Sequence, residues 1–165
     1  MNSTRLVFAM LVASFLMVAC GNKGDESRLK AAEAAYLQGD YKTALEGFQP
    51  MAENGNARAE FFLGEMYLNG NGVPRDYAQA LKWASAAAEQ KNPDAQYTLG
   101  EIYASGKGVP QDYIKAHMWY SLSASSGDEQ AIRKKADLEV RGMTYDQIEQ
   151  SKQQELAWIE AHKDK

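Results

Sequence analysis

The sequence predicts an all-α fold: an α-solenoid of helix–turn–helix repeats with a C-terminal pair of capping helices. Three observations predict it. Residues 59–92 and 95–128 align at an offset of 36 with 15 identities in 34 pairs, against about two expected by chance at average residue usage. Inside each copy the apolar residues recur at helical spacing. No alternating run of β-branched residues occurs anywhere, so nothing reads as a strand. The composition agrees: 165 residues, 45% hydrophobic and 24% charged, make one ordinary domain or one short repeat array.

The first element is an address rather than structure. Arg5 and the amino terminus give a positive start, and Leu6 to Ala19 is a run of 14 residues, apolar except for Ser14. A spanning helix needs about 20 apolar residues, so residues 1–19 read as a signal peptide. Met17-Val18-Ala19-Cys20 resembles the lipobox of bacterial lipoproteins, with Met where Leu is usual. The resemblance implies cleavage before Cys20 and a diacylglyceryl group on its thiol. It also implies, because Gly21 rather than Asp follows, a place on the periplasmic face of the outer membrane. Loss of Arg5 leaves 18 − 1 = 17 basic and 22 acidic side chains, a net of −5. Residues 20–27 have no apolar periodicity and read as a lipidated tether.

Residues 28–55 form a short first unit. Asp40-Tyr41, Ala44-Leu45 and Ala52-Glu53 match Asp76-Tyr77, Ala80-Leu81 and Ala88-Glu89. Tyr36-Leu37-Gln38-Gly39 matches Tyr67-Leu68-Asn69-Gly70 only if Asn71–Arg75 are missing from this copy. Residues 57–92 are the second unit. Ala59, Phe62, Leu63, Met66 and Tyr67 form one helical stripe. Gly70 and Gly72, with Asn69 and Asn71, end that helix. Pro74 blocks simple continuation. Asp76 caps the next helix, whose buried stripe is Tyr77, Ala80, Leu81, Ala84, Ala87 and Ala88. Residues 93–127 repeat the pattern with Gly106, Gly108 and Asp112. Gly64 and Gly100 cost about 1 kcal/mol each of helix propensity, so each is expected to mark a close approach of the paired helix, near Ala80 and Ala116. In residues 128–165, Asp128 caps a helix to about Val140 and Gly142 ends it. Thr144 with Gln147 forms a capping box and Met143 with Ile148 a hydrophobic staple. The last helix, about 145–160, sets Ile148, Leu156 and Ile159 on one side of an otherwise polar surface, as a terminal unit needs.

The stretch L-G-E-M-Y-L-N-G-N-G-V-P-R-D-Y-A-Q-A-L-K-W at 63–83, with its partner 36 residues on, resembles the Sel-one-like repeat (SLR) family. The short first unit looks more like a tetratricopeptide repeat. The resemblance covers roughly residues 28–127 and implies a solenoid that serves as a protein-interaction scaffold.

Chemistry is scarce. The acidic balance of −4 argues against nucleic acid, since phosphate binding needs a cationic face. One cysteine builds neither an internal disulfide framework nor a cysteine zinc site, and two distant histidines offer no metal spacing. No cofactor is expected. Gly106-Lys107-Gly108 lacks the spacing and the hydroxyl residue of a phosphate loop and reads as an inter-helix turn. Ser27-Arg28-Leu29-Lys30 matches S-x-x-K of serine β-lactamases, a label some relatives of the SLR family carry, but the companion motifs are absent. His117 reads as a packed or surface histidine, with no acid or nucleophile recurring beside it. Trp83 and Trp119 read as helix packing, and Trp158 has no repeat partner.

The remaining candidate is the non-core side of the first helices, which line the groove in solenoids of this type. Arg58, Phe61, Glu65 and Leu68 cluster within about 80° on the helical wheel. The next unit places Asp94, Tyr97, Glu101 and Ala104 there. Phe61 and Tyr97 are either peptide anchors or packing against the neighbouring unit. Glu65 and Glu101 are either surface charge or an acidic floor suited to a cationic segment. The sequence thus points to a non-enzymatic, lipid-anchored scaffold for an unidentified protein or peptide. The rivals are a cell-wall enzyme or peptidoglycan-binding protein and a structural subunit of an envelope complex.

Overall fold

The computed structural model describes residues 24–164. The expected leader, Cys20 and residues 21–23 of the expected tether lie outside the described residues, whereas residues 24–27, also read as tether, are the first turn of a helix. Within them the chain forms eight helices and no strand. They are α1 (24–37), α2 (Tyr41–Glu53), α3 (Ala57–Asn69), α4 (Tyr77–Glu89), α5 (Pro93–Ser105), α6 (Tyr113–Ala124), α7 (Glu129–Arg141) and α8 (Tyr145–Ala161). None of the described helices is long and apolar enough to cross a membrane.

Side-chain caps set the boundaries. Asp40, Asn56, Asp76, Asn92, Asp112 and Asp128 each accept a first-turn backbone N–H. Such a cap contributes about 1 kcal/mol. Thr144 and Gln147 form the expected capping box before α8.

Two turn types alternate along the array. The long ones, after α3 and α5, open with Gly70 at φ 77° and Gly106 at φ 69°. They close when the Asp76 N–H donates to the Tyr67 carbonyl at 3.0 Å and the Asp112 N–H to that of Tyr103 at 2.9 Å. Gly72 and Gly108 do more than stop a helix. A Cβ there would lie 2.7 Å from Tyr41 Cβ and 2.4 Å from Tyr77 Cβ. Those tyrosines begin the second helix of the preceding unit, so each long turn is seated on its neighbour through a glycine.

The core has two parts. The first gathers Phe48, Leu63 and Met66 with α1 alanines, and Phe48 stacks on Phe62 at 4.7 Å. The second gathers Leu99, Ile102, Trp119 and Leu122 with the alanines of α4. Gly64 behaves as expected: a Cβ there would lie 3.1 Å from Ala84 N and 3.5 Å from the Ala80 carbonyl oxygen. Gly100 does not. Its space is filled by the Tyr120 ring, 2.4 Å from the would-be Cβ, rather than by the backbone near Ala116. Tyr120 stands where the second unit has Ala84, so a side chain replaces a backbone contact.

The C-terminal helices α7 and α8 both pack on α6. Consequently Ala116–Ser123 is buried throughout. Of the two places read for His117, packed or surface, it takes the packed one, fully buried between Ser151 Oγ at 2.8 Å and Glu139 Oε1 at 2.9 Å. A carboxylate only accepts, so Nε2 carries a proton toward Glu139. The face of α8 also differs from the expected one. Leu156 and Ile159 are exposed, and the seam is Ser151, Trp158 and His162. Trp158 meets Trp119 edge-on at 5.9 Å and stacks on His162 at 4.1 Å. His162 Nε2 reaches Glu89, at the end of α4, at 2.5 Å.

Candidate functional site

The odd-numbered helices place their non-core residues along one face. Phe61 and Glu65 stand one turn apart on α3. Asp94, Tyr97 and Thr98 occupy the matching turns of α5. With Asp128 and Gln130 at the start of α7 they line a hollow of ≈ 250 Å³. Four of the sequence-selected residues, Phe61, Glu65, Asp94 and Tyr97, therefore meet around one space.

The others do not join them. Arg58 is exposed and turns to Glu33 on α1, with its guanidinium 5.6 Å from the Phe62 ring centre. Leu68 packs against the second core cluster. Glu101 belongs to the neighbouring hollow of ≈ 370 Å³, bordered by Tyr120, Lys134 and Arg141. Phe61 and Tyr97 both pack on neighbours and face the hollow. Phe61 packs on the second core cluster and Tyr97 lies 5.7 Å from the Tyr120 ring, while each keeps an edge on the hollow.

The repeated carboxylates differ in chemistry. Glu65 accepts from Thr98 Oγ1 at 3.0 Å and Asn69 Nδ2 at 3.1 Å, with no cation in contact. Desolvation therefore holds its pKa above the ordinary carboxylate value. Glu101 also feels desolvation. Hydrogen bonds from the Tyr120 hydroxyl at 2.5 Å and Lys134 Nζ at 2.9 Å outweigh it, and its pKa falls below the ordinary value. Burial and Glu101 together raise the Tyr120 pKa, keeping the hydroxyl a donor. The expected acidic floor of Glu65 plus Glu101 is thus corrected, because Lys134 of α7 neutralises Glu101. The acids that border the hollow are Glu65, Asp94 and Asp128.

Sequence reasoning missed Thr98, Gln130, Tyr120 and Lys134, and took Asp128 for a cap alone. Thr98 and Tyr120 stand where the two copies differ, opposite Phe62 and Ala84. Gln130 and Lys134 lie on α7, which no repeat alignment reaches.

The other motifs are also placed. The repeated glycines Gly64, Gly70, Gly72, Gly100, Gly106 and Gly108 and the caps Asp76 and Asp112 all serve packing and turns. Gly106-Lys107-Gly108 is the long turn after α5. Ser27 is exposed on α1, and Lys30 pairs with Glu26 at 2.6 Å. Ser151, His117 and Glu139 stand in the chemical order of a hydrolase triad. Ser151 and His117 are both 0% exposed, so a substrate carbonyl has no approach. Among the described residues no group of three or more His, Cys, Asp or Glu could hold a metal ion.

Comparison with known proteins agrees with this architecture. The family described as Sel1 repeat matches residues 57–92 and 93–128. A crystal structure of c5321, a protective antigen present in uropathogenic Escherichia coli strains and displaying an SLR fold, is similar with a TM-score of 0.77 and 30% identity, covering 84% of this chain and 30% of that one. A Sel1 repeat protein from Oxalobacter formigenes is similar with a TM-score of 0.66 and 29% identity, covering 78% of this chain and 58% of that one. The chain thus spans under two thirds of either relative. No curated protein matches its sequence. Residues 57–128 thus carry two adjoining Sel1 repeats, each with its glycine turn seated on the unit before it.

Proposed function

We propose that the chain is a non-catalytic scaffold that holds a protein segment along the face of α3, α5 and α7, and that a lipid on Cys20 tethers it to the periplasmic face of the outer membrane. One observation carries the binding reading. Phe61 and Tyr97 converge with Glu65, Asp94 and Asp128 on a single hollow. Aromatic walls with carboxylates between them suit a lysine or arginine side chain, through cation–π attraction and charge pairing. Glu65 is half-buried, with Lys107 acting on it only at coulombic range, so an incoming cation in contact offsets a desolvation cost already present in the fold. The partner segment is therefore cationic. The anchor reading is supported by Met17–Cys20 following an apolar run.

The test is crosslinking in intact cells from a photoreactive residue at position 97. Phe61→Ala with Tyr97→Ala should abolish binding to the partner so identified, but both rings also pack, so that pair will soften the fold. Asp94→Lys is cleaner because Asp94 is exposed. It should cut capture about tenfold or more, while melting falls only by the roughly 0.3–1 kcal/mol that an acid in the first turn of α5 contributes. Undiminished capture by Asp94→Lys would sink the cationic-segment reading. For the anchor, Cys20→Ser should abolish incorporation of radiolabelled palmitate, and equal labelling of both forms would remove the lipoprotein assignment.

A further inference from the structure

Helix α7 carries a stripe that no described element covers. Ile132, Ala136 and Val140 recur every four residues, with Ile132 49% and Val140 82% exposed and Ala136 exposed as well. The opposite side of the helix, at Ala131 and Leu138, turns toward the rest of the fold. An open apolar stripe on an otherwise charged helix marks an interface.

The flanking charges indicate what covers it. Arg133 and Asp137 border one side of the stripe, Lys135 and Glu139 the other. A two-fold axis through Ala136, perpendicular to the helix, generates an antiparallel neighbour. Residue n then lies level with residue 272 − n, since 2 × 136 = 272. Ile132 falls beside Val140 of the second copy, and Ala136 meets its own counterpart, where a small side chain permits close approach. At a rise of 1.5 Å per residue, Arg133 stands about 3 Å along the axis from Asp137 of the second copy. Lys135 stands the same distance from Glu139 of the second copy, whose Oε1 already accepts from the buried His117, so this pair is secondary to Arg133–Asp137. With helix axes about 9 Å apart, the short acids remain separated while the long basic side chains reach across. In the single chain Arg133 bonds Glu129 at 3.4 Å and Asp137 bonds Arg141 at 3.2 Å. Both are exposed pairs of small value that exchange readily.

We propose that the chain pairs with a second copy of itself through α7, antiparallel and two-fold symmetric about Ala136. The patch is isologous: one surface complements itself in shape and in charge. It spans a single helix of 13 residues, well under a standard interface, so the dimer belongs in the micromolar-to-millimolar range. Gln130, Arg133, Lys134 and Asp137 of α7 also border a hollow beside Tyr97. Pairing therefore sets two such faces side by side, as a bivalent arrangement would require.

The test is sedimentation equilibrium on the chain without residues 1–20, which keeps every described helix and removes the sole thiol. The weight-average mass should climb from monomer toward dimer between about 10 µM and 1 mM. Ala136→Arg, at an exposed position, should stay monomeric with unchanged melting. Arg133→Asp should weaken pairing about tenfold, and adding Asp137→Arg should restore it. Under mild oxidation Ala136→Cys should form disulfide dimers, while an equally open thiol from Leu37→Cys should not. A monomer at every concentration would overturn the proposal. So would association of Ala136→Arg equal to that of the parent chain, or failure of the charge exchange to restore pairing.

Discussion

Glu65 and Glu101 hold the same place in consecutive units, yet their surroundings drive them in opposite directions, and pH separates them. Glu65 has a raised pKa, so its contribution to stability is fullest below the ordinary carboxylate value and is lost as pH rises through the folded one. Glu65→Gln should therefore melt at or above the parent temperature at pH 7, with the difference vanishing toward about pH 4. Glu101 has a lowered pKa, so its contribution is present above the ordinary value and lost as pH falls through the folded one. Glu101→Gln should cost about 1 kcal/mol at pH 7 and progressively less in acid. Melting both variants from pH 3 to 8 checks the pair, and a common sign would refute the assignment. Gly64 and Gly100 should diverge too. At Gly64 a methyl group needs a few tenths of an ångström from the backbone of α4, which the gain in helix propensity nearly offsets. At Gly100 it strikes a ring held by Glu101. Gly64→Ala should lie within about 1 kcal/mol of the parent, whereas Gly100→Ala should lose about 1–3 kcal/mol in urea titrations.

At the scale of elements, the sequence placed most helix boundaries well because they rest on local chemistry. Asp and Asn caps, αL glycines and the Thr144–Gln147 box all act within a few residues of themselves. What it could not place was the inward side of α8. Ile148, Leu156 and Ile159 form the obvious apolar stripe, yet α8 docks through Ser151, Trp158 and His162. That choice depends on a buried histidine needing partners on both ring nitrogens, and His117 supplies the need from another helix. Ser151→Ala leaves Nδ1 of His117 without its partner in a dry site. It should cost about 1–3 kcal/mol, and Ser151→Ala with His117→Leu should recover part of the loss. Equilibrium urea unfolding measures both. A Ser151→Ala loss below about 0.5 kcal/mol would show that the contact does not hold α8.

At the scale of the molecule, stability in a repeat array is a sum of units and their interfaces. Without residues 143–165, α6 would show water Trp119, Leu122 and a His117 stripped of Ser151, while α1 to α4 would keep their own core. Calorimetry of that truncation should resolve a separate, earlier transition for the C-terminal half, with dye binding to exposed apolar surface. A single unchanged transition would contradict it. The amino-acid sequence by itself determined the all-α class, the 36-residue period and the caps and turns, since all of these follow from spacing along one chain, and its 63–83 motif carries the resemblance to Sel1 repeats. Of the residues it selected for a proposed binding face, Phe61, Glu65, Asp94 and Tyr97 gather at one hollow. Only the tertiary structure decided that Glu101 is neutralised while Glu65 is not, that Tyr120 fills the space over Gly100, and that Ser151 and Glu139 enclose His117. Each of these depends on which side chain arrives from a helix distant in sequence, and helical spacing says which way a residue points without saying what it will meet.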